Sequence, residues 1–224
     1  MNLYLLVEGR QTERVIYPAW LKYLAPHMVR VNTPLELQDN NYFLISGEGY
    51  PRMLDVKLND SLRDINQHGS VDNFWVVLDS DGEDISNRRE DVYKRILGSG
   101  IDIGECRVEV IIQNPCIETW GLGNKSMIAV NQLHGSMSEL YRHYDVKNDD
   151  PELMKKQDGF IGTDAGFHEK YLKEMLSINS IRYTKKNPNG LKENYYLNKI
   201  IERATSEEEH LGSFLYFYRR ALEL

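Results

Sequence analysis

Residues 74–84, FWVVLDSDGED, run five apolar or aromatic side chains straight into two aspartates one residue apart, a glycine and two more acids. Carboxylates packed this closely disfavour one another's charge unless something positive sits among them. Two other segments end in a similar way. Residues 3–7 lead into Glu8-Gly9, and residues 107–112 lead into Gln113-Asn114-Pro115, with Glu118 shortly after. If each apolar run is a parallel strand, Glu8, Asp79, Asp81, Glu83 and Glu118 gather where open α/β sheets bind their ligands, outside the carboxyl ends. Gly9 and Gly82 permit tight turns and close approach of a ligand there. Carboxylates without matching Arg or Lys suit a hard divalent cation, Mg2+ or Mn2+. Such an ion keeps several waters and meets substrate phosphates through one or two protein carboxylates. The plainer alternative is that these acids are turn residues and helix caps, Glu83 and Asp84 above all.

Such a cluster needs elements to carry it. The apolar runs at 3–7, 42–46, 74–78 and 107–112 have the length of buried strands. Between them lie helical stripes: Val15, Ile16, Ala19, Trp20, Tyr23 and Leu24, then Leu54, Leu58, Leu62 and Ile65, then a more polar helix over about 84–97. Pro18 inside the first stripe kinks that helix or restarts it. Asn114-Pro115 reads as an N-cap followed by a proline in the first helical position, which puts Glu118 in a first turn. Alternating strands and helices predict an α/β fold, a mainly parallel sheet flanked by helices. Beyond residue 124 no strand is evident. Helical stripes centre on Tyr171 to Leu176, Leu197 to Ala204 and Leu211 to Leu222, the last led by a Ser206/Glu209 capping box. Residues 145–167 and 185–190 read as loop and turn. The expected organisation is a catalytic α/β region over 1–124 and a mostly helical region over 125–224 packed on it.

Composition sets the outer limits. The chain has 224 residues, 41% apolar and 27% charged, enough for one sizeable core. A net charge of −7 argues against a protein that coats nucleic acid, though not against an enzyme that meets it through a metal and a local basic patch. No apolar run approaches a membrane span. The first ten residues lack the features of a signal peptide, and two cysteines make no disulfide framework. The expected location is therefore cytoplasmic, with no membrane partner.

The motifs carry a resemblance. A strand ending in Glu-Gly, then a later strand ending in Asp-x-Asp, resembles the Toprim fold of topoisomerases, primases and overcoming-lysogenization-defect nucleases. VEGRQTERVIYP and QNPCIETWGL resemble the EG-x-x-TE…Y and NPCFE-x-W-L segments of its RloB-like branch. Two departures stand out: Ile117 replaces an aromatic residue, and Gly121 and Gly123 interrupt a leucine-rich run. The resemblance implies a Mg2+-dependent phosphodiester nuclease acting on DNA or RNA, tRNA included. It also implies a role as toxic effector of antiphage defence, beside an ABC-type or AAA ATPase partner. Glu8 then corresponds to the Toprim glutamate, a metal ligand or general base, and Asp79 and Asp81 to the metal-binding pair. Glu13 and Glu118 correspond to acids able to complete a second metal site, with Glu83 beside them.

Arg10, Arg14 and Lys125 flank this region and could hold phosphate, and Lys185 and Lys186 could meet a nucleic-acid backbone from their turn. For each of these, ordinary surface charge is the rival reading; the Arg88-Arg89 doublet reads as a solvated face. Tyr183, Tyr195 and Tyr196 fit packing better than base stacking. The histidines and cysteines show no metal-ligand spacing. The Asp-x-Asp-Gly loop also resembles that of haloacid-dehalogenase phosphatases, but Glu83 stands where such loops carry Thr or Ser, and Glu8 is left unexplained. An EF-hand would need its glycine two residues later and a preceding helix. A non-catalytic Toprim-like sensor or adaptor of the ATPase is the alternative of a different class. Homo-oligomerisation stays open.

Overall fold

The computed structural model describes residues 1–131 and 133–224. The chain divides into two compact units. The first comprises Met1–Leu78, Asp84–Ile112 and Arg220–Leu224; the second comprises Asp79–Glu83 and Gln113–Arg219.

The first unit is built on a five-stranded sheet in the order β2-β3-β1-β4-β5. The strands are β1 (Leu3–Val7), β2 (Val29–Val31), β3 (Asn41–Ser46), β4 (Asn73–Asp79) and β5 (Arg107–Gln113). β1 pairs in parallel with both β3 and β4, in registers that set Val7 beside Ser46 and beside Val77. Residues 3–7 are entirely buried because a parallel strand between two neighbours has no wet face. Alternate residues point to opposite faces. Tyr4, Leu6, Phe74, Val76, Leu78, Val110 and Ile112 pack with Leu58, Leu62 and Ile65 of α2 (Leu58–His68) and with Val92 and Ile96 of α3 (Ile85–Gly98). Leu3, Leu5, Val7, Trp75, Val77 and Ile111, pointing the other way, are buried too. The expected α/β class, with a parallel sheet flanked by helices, is what the chain adopts. The short β2 was not foreseen. Pro18 sits well inside a single helix, α1 (Thr12–Leu24), and does not start a new one. The change of winding direction falls between β1 and β4, whose carboxyl ends run into Glu8 and Asp79.

The second unit is mostly helical: α4 (Ile117–Gly121), α5 (Gly135–His143), α6 (Asp164–Ser177), α7 (Asn194–Ala204) and α8 (Gly212–Ala221). Trp120 anchors its core, stacked on Phe217 and edge-on to Phe214, each at 5.5 Å. The two glycines that interrupt the leucine run are packing residues. A Cβ on Gly123 would lie 2.4 Å from Leu211, and one on Gly121 would lie 3.0 Å from Leu191. Arg203 is 3% exposed and ties loops together, donating to the carbonyls of Val146 and Asp149 at 2.7 Å.

Several expectations need correction here. α5 was not anticipated. Neither was the antiparallel pair β6 (Tyr183–Thr184) and β7 (Asn187–Pro188), which is too short for any periodicity to show. Ser206 and Glu209 form no capping box, because α8 starts only at Gly212. The Ser206 hydroxyl instead donates to Arg203 O at 2.7 Å. The start of α8 is capped from a distant segment: Leu211 N–H donates to Asp150 and Ser213 N–H to Glu152. Acids at a helix N-terminus satisfy free donors and oppose the dipole, and no local motif betrays them. Asn114 is likewise not a helix cap. Cys116 holds that position in α4, and the Asn114 side chain is engaged elsewhere.

Candidate functional site

In the first unit, β1 delivers Glu8 with its main chain fixed on both sides. Glu8 N–H donates to Val77 O at 2.9 Å, and its carbonyl accepts from Gly49 N–H at 2.9 Å. Gly9 O accepts from the Ser46 hydroxyl at 2.8 Å. The side chain of Glu8 is partly exposed. Glu13 turns back along the start of α1 and accepts Gly9 N–H at 3.1 Å. A Cβ on Gly9 would lie 1.9 Å from Glu13 Oε2, so the glycine exists to admit that carboxylate. The Glu-Gly…Thr-Glu spacing thus has a local account: Glu13, 6% exposed, caps the turn that presents Glu8. Arg10 and Arg14 are exposed, and Arg10 donates to Glu48 O at 3.2 Å. Arg88 contradicts its reading as a solvated residue. It is 4% exposed, and its guanidinium lies 4.4 Å from the centre of the Tyr50 ring. Arg89 donates to Val110 O at 3.2 Å.

In the second unit, Asp79–Glu83 makes a tight turn. Ser80, fully buried, donates its N–H to Gln113 O at 2.9 Å and its hydroxyl to Asn114 Oδ1 at 3.1 Å. Asp81 N–H donates to Pro115 O at 3.3 Å, and Glu83 N–H to Ser80 O at 2.9 Å. Asp81 adopts φ +51° and Gly82 φ +87°. A left-handed conformation is ordinary for glycine and uncommon for a residue with a Cβ. Asp81 and Glu83 are exposed. The helix cap expected in this stretch is Asp84 alone. It accepts the Ser86 hydroxyl, with Asn87 N–H and Ser86 N–H beside it, and these hold its carboxyl below its usual range.

Glu118 is 3% exposed on α4 and accepts the Tyr183 hydroxyl at 2.9 Å. Lys185, on the same hairpin, pairs with Glu169 at 3.3 Å. Burial works against the Lys185 charge, but Glu118 and Glu169 outweigh it and raise its pKa. Glu118 and Lys185 therefore belong to one buried-to-surface charge cluster with Tyr183 and Glu169. Tyr196 gives its hydroxyl to Gly121 O at 2.8 Å, so two of the three tyrosines are packing residues. Lys125 is paired with Glu208, and Lys186 is exposed.

The NPCIETW segment is the hub of this unit. Thr119 Oγ1 lies 2.9 Å from His168 Nδ1, and His168 Nε2 lies 3.0 Å from Met154 O. The carbonyl can only accept, so Nε2 carries the proton and Thr119 donates. Burial lowers the His168 pKa to about 4 and raises that of the Cys116 thiol, so both are neutral packing groups.

Among the described residues, no group of three or more His, Cys, Asp or Glu side chains is arranged to hold a metal ion. The donors at the two strand ends are all carboxylate oxygens. Carboxylate oxygens suit a hard cation such as Mg2+ and not a zinc-type cage of nitrogen and sulfur ligands. Comparison with family models, curated proteins and solved structures finds no match. Sequence reasoning missed Arg88, Tyr183 as the partner of Glu118, and the Glu152–Ser213 pair; an arginine beside another arginine, and a lone acid in a loop, carry no signal of burial.

Proposed function

We propose that this chain is a metal-dependent phosphodiester nuclease of the Toprim-like, RloB-like kind, acting on DNA or RNA. The observation that supports this best is Asp81, whose backbone is left-handed in a turn held by the main-chain hydrogen bonds of Ser80, Asp81 and Glu83, while the residue stays exposed. Among residues with a Cβ, Asp and Asn tolerate this conformation best, and of the two the chain carries the one that adds a carboxylate to the tip of the turn. Asp79 and Asp81 would hold Mg2+ or Mn2+, and the motif assigns Glu8 as a further ligand or general base. When bound, such an ion lowers the pKa of a water and polarises the phosphoryl oxygen. The protein's own part is positional. Glu13 fixes the turn after β1, and Ser80 fixes the two aspartates at either side of it. Arg10 and Arg14 offer exposed charge to the phosphate backbone. The setting in antiphage defence, with an ATPase partner, rests on the resemblance of the motifs.

The test is expression of wild type, Glu8→Gln and Asp79→Asn in a bacterial host and as purified proteins with Mg2+, Mn2+ or chelator, following total RNA and DNA. The proposal expects metal-dependent fragmentation by wild type and its loss in both variants, with melting temperatures retained. Cleavage that survives both substitutions refutes it. The lack of a three-ligand group among the described residues favours one second reading, a non-catalytic adaptor. Wild type that cleaves nothing, alone or with its ATPase, would support that reading.

A further inference from the structure

In the first unit, the loop that follows β3 is built onto the end of β1. Gly47 N–H donates to Val7 O at 2.6 Å, Gly49 N–H to Glu8 O at 2.9 Å, and Glu48 N–H to the Ser46 hydroxyl at 3.1 Å. Met53 N–H closes the loop on Gly49 O at 2.9 Å. Tyr50 therefore follows directly on a residue whose main chain is bonded to that of Glu8. It is 44% exposed, while the Arg88 guanidinium that lies over its ring, 4.4 Å from the centre, belongs to a residue only 4% exposed. One face of the ring is thus backed by a buried cation from α3, and much of the residue meets solvent. Two exposed arginines are held to the same loop through Glu48. Arg10 Nε–H donates to Glu48 O at 3.2 Å, and Arg52 pairs with the Glu48 carboxylate at 3.0 Å.

We propose that Tyr50 is a stacking platform beside Glu8 for an unpaired base of a single-stranded nucleic acid. The inference rests on the nuclease reading for its substrate and adds that the strand is taken single. Every base has a π-face, so an exposed ring flanked by cations binds single strands with little regard to sequence. A base inside a duplex is already stacked on its neighbours, and reaching the ring would cost it that stacking. Arg88 contributes rigidity. A guanidinium over one face attracts the ring electrostatically and holds its plane, so little ordering is left for the moment of binding. Arg10 and Arg52 bring to the same loop the positive charge that the phosphates of such a strand need. The plainer account of Tyr50 is a cover for Arg88, and a ring with that role alone would leave binding untouched when replaced.

The test uses the full chain, end-labelled single strands of DNA and RNA, and strands of the same length stripped of their bases. Fluorescence anisotropy is read in chelator and in Ca2+, so that binding is measured apart from cleavage. Abasic strands keep the phosphates and lose the stack. Wild type is expected to prefer the intact strand, in DNA or in RNA, by roughly 5–150-fold, the range that one base–aromatic stack gives. Tyr50→Phe should keep the preference. Tyr50→Leu should bring the intact strand down to the affinity of the abasic one, and Tyr50→Met, which still covers Arg88, should do the same. Melting temperatures check that each variant is folded. No binding in either buffer, no preference in wild type, or a preference that survives in the folded leucine or methionine variant overturns the proposal. So does a loss in Tyr50→Phe equal to theirs, which would assign the effect to the hydroxyl. If the preference depends on the ring but wild type cuts no strand with Mg2+ or Mn2+, the nuclease reading fails and the platform stands. Cleavage by a wild type that shows no preference has the opposite meaning.

Discussion

Asp81 offers the sharpest separation of folding from chemistry. Its φ of +51° is a conformation that L-residues pay for, at about 1–2 kcal/mol for an ordinary side chain and less for Asp or Asn. Asp81→Ala keeps the Cβ and loses the polar side chain that tolerates this region, so it should destabilise the fold by about 1 kcal/mol. Asp81→Gly removes the clash but gives the unfolded chain more freedom, an offset of roughly 0.5–1 kcal/mol. The glycine variant should therefore be as stable as wild type or slightly more so. In a chain of this size, about 1 kcal/mol moves the melting temperature by about 2–4 °C, which separates the two variants by thermal unfolding. Both lack the carboxylate, so both should lose metal-dependent cleavage. An active Asp81→Gly protein would refute the functional half of this reasoning, and equal stability of the alanine and glycine variants would refute the strain half.

Two further outcomes follow from the geometry. A methyl group at Gly9 must evict the Glu13 carboxylate, 1.9 Å away, so Gly9→Ala should cost about 1–3 kcal/mol in urea unfolding. Combined with Glu13→Ala it should cost little more than either change alone, and additive losses would count against the packing argument. Glu152 and His168 should tilt the pH dependence of stability in opposite directions. Glu152 has a folded pKa of about 7 against 4.5, so the folded state binds the extra proton and stability is lost as pH rises from about 4.5 to about 7. His168 has a folded pKa of about 4 against 6.5, so its contribution is lost as pH falls from about 6.5 to about 4. Replacing either with Gln should unmask the slope of the other in melting temperatures taken between pH 4.5 and 7. A difference from wild type that does not vary with pH would show that the group does not titrate there.

The strands that end at Glu8 and Asp79 were legible because a buried parallel strand is a short unbroken apolar run, and its neighbours in the chain were amphipathic helices. The acids could be named for the same reason: they stand where those runs stop. What holds the acids was not legible. Glu13 was read as a ligand from its motif, yet its carboxylate sits on Gly9 N–H, a contact that depends on the missing Cβ. Glu118 was read as a first-turn acid and does lie in the first turn of α4, yet it is buried against Tyr183, 65 residues away. The start of α8 was misplaced because its cap is Glu152, 61 residues upstream, and local capping signals cannot report a tertiary cap. Arg88 looked like surface charge because burial under Tyr50 leaves no mark on spacing.

The separation in sequence between the aspartate turn and its supports has a consequence for how the protein is made. Residues 79–83 leave the ribosome before any of their partners. Their first hydrogen-bond partners, Gln113 to Pro115, come some thirty residues later, and Ser213 follows about 130 residues after Glu83. At roughly 5–20 residues per second, that last interval is about 6–26 s. Throughout it Asn114 N–H lacks the Ser213 oxygen that accepts it, so the Gln113–Pro115 segment that holds the turn is itself incompletely fixed. The support is completed by a residue made long after the acids it serves.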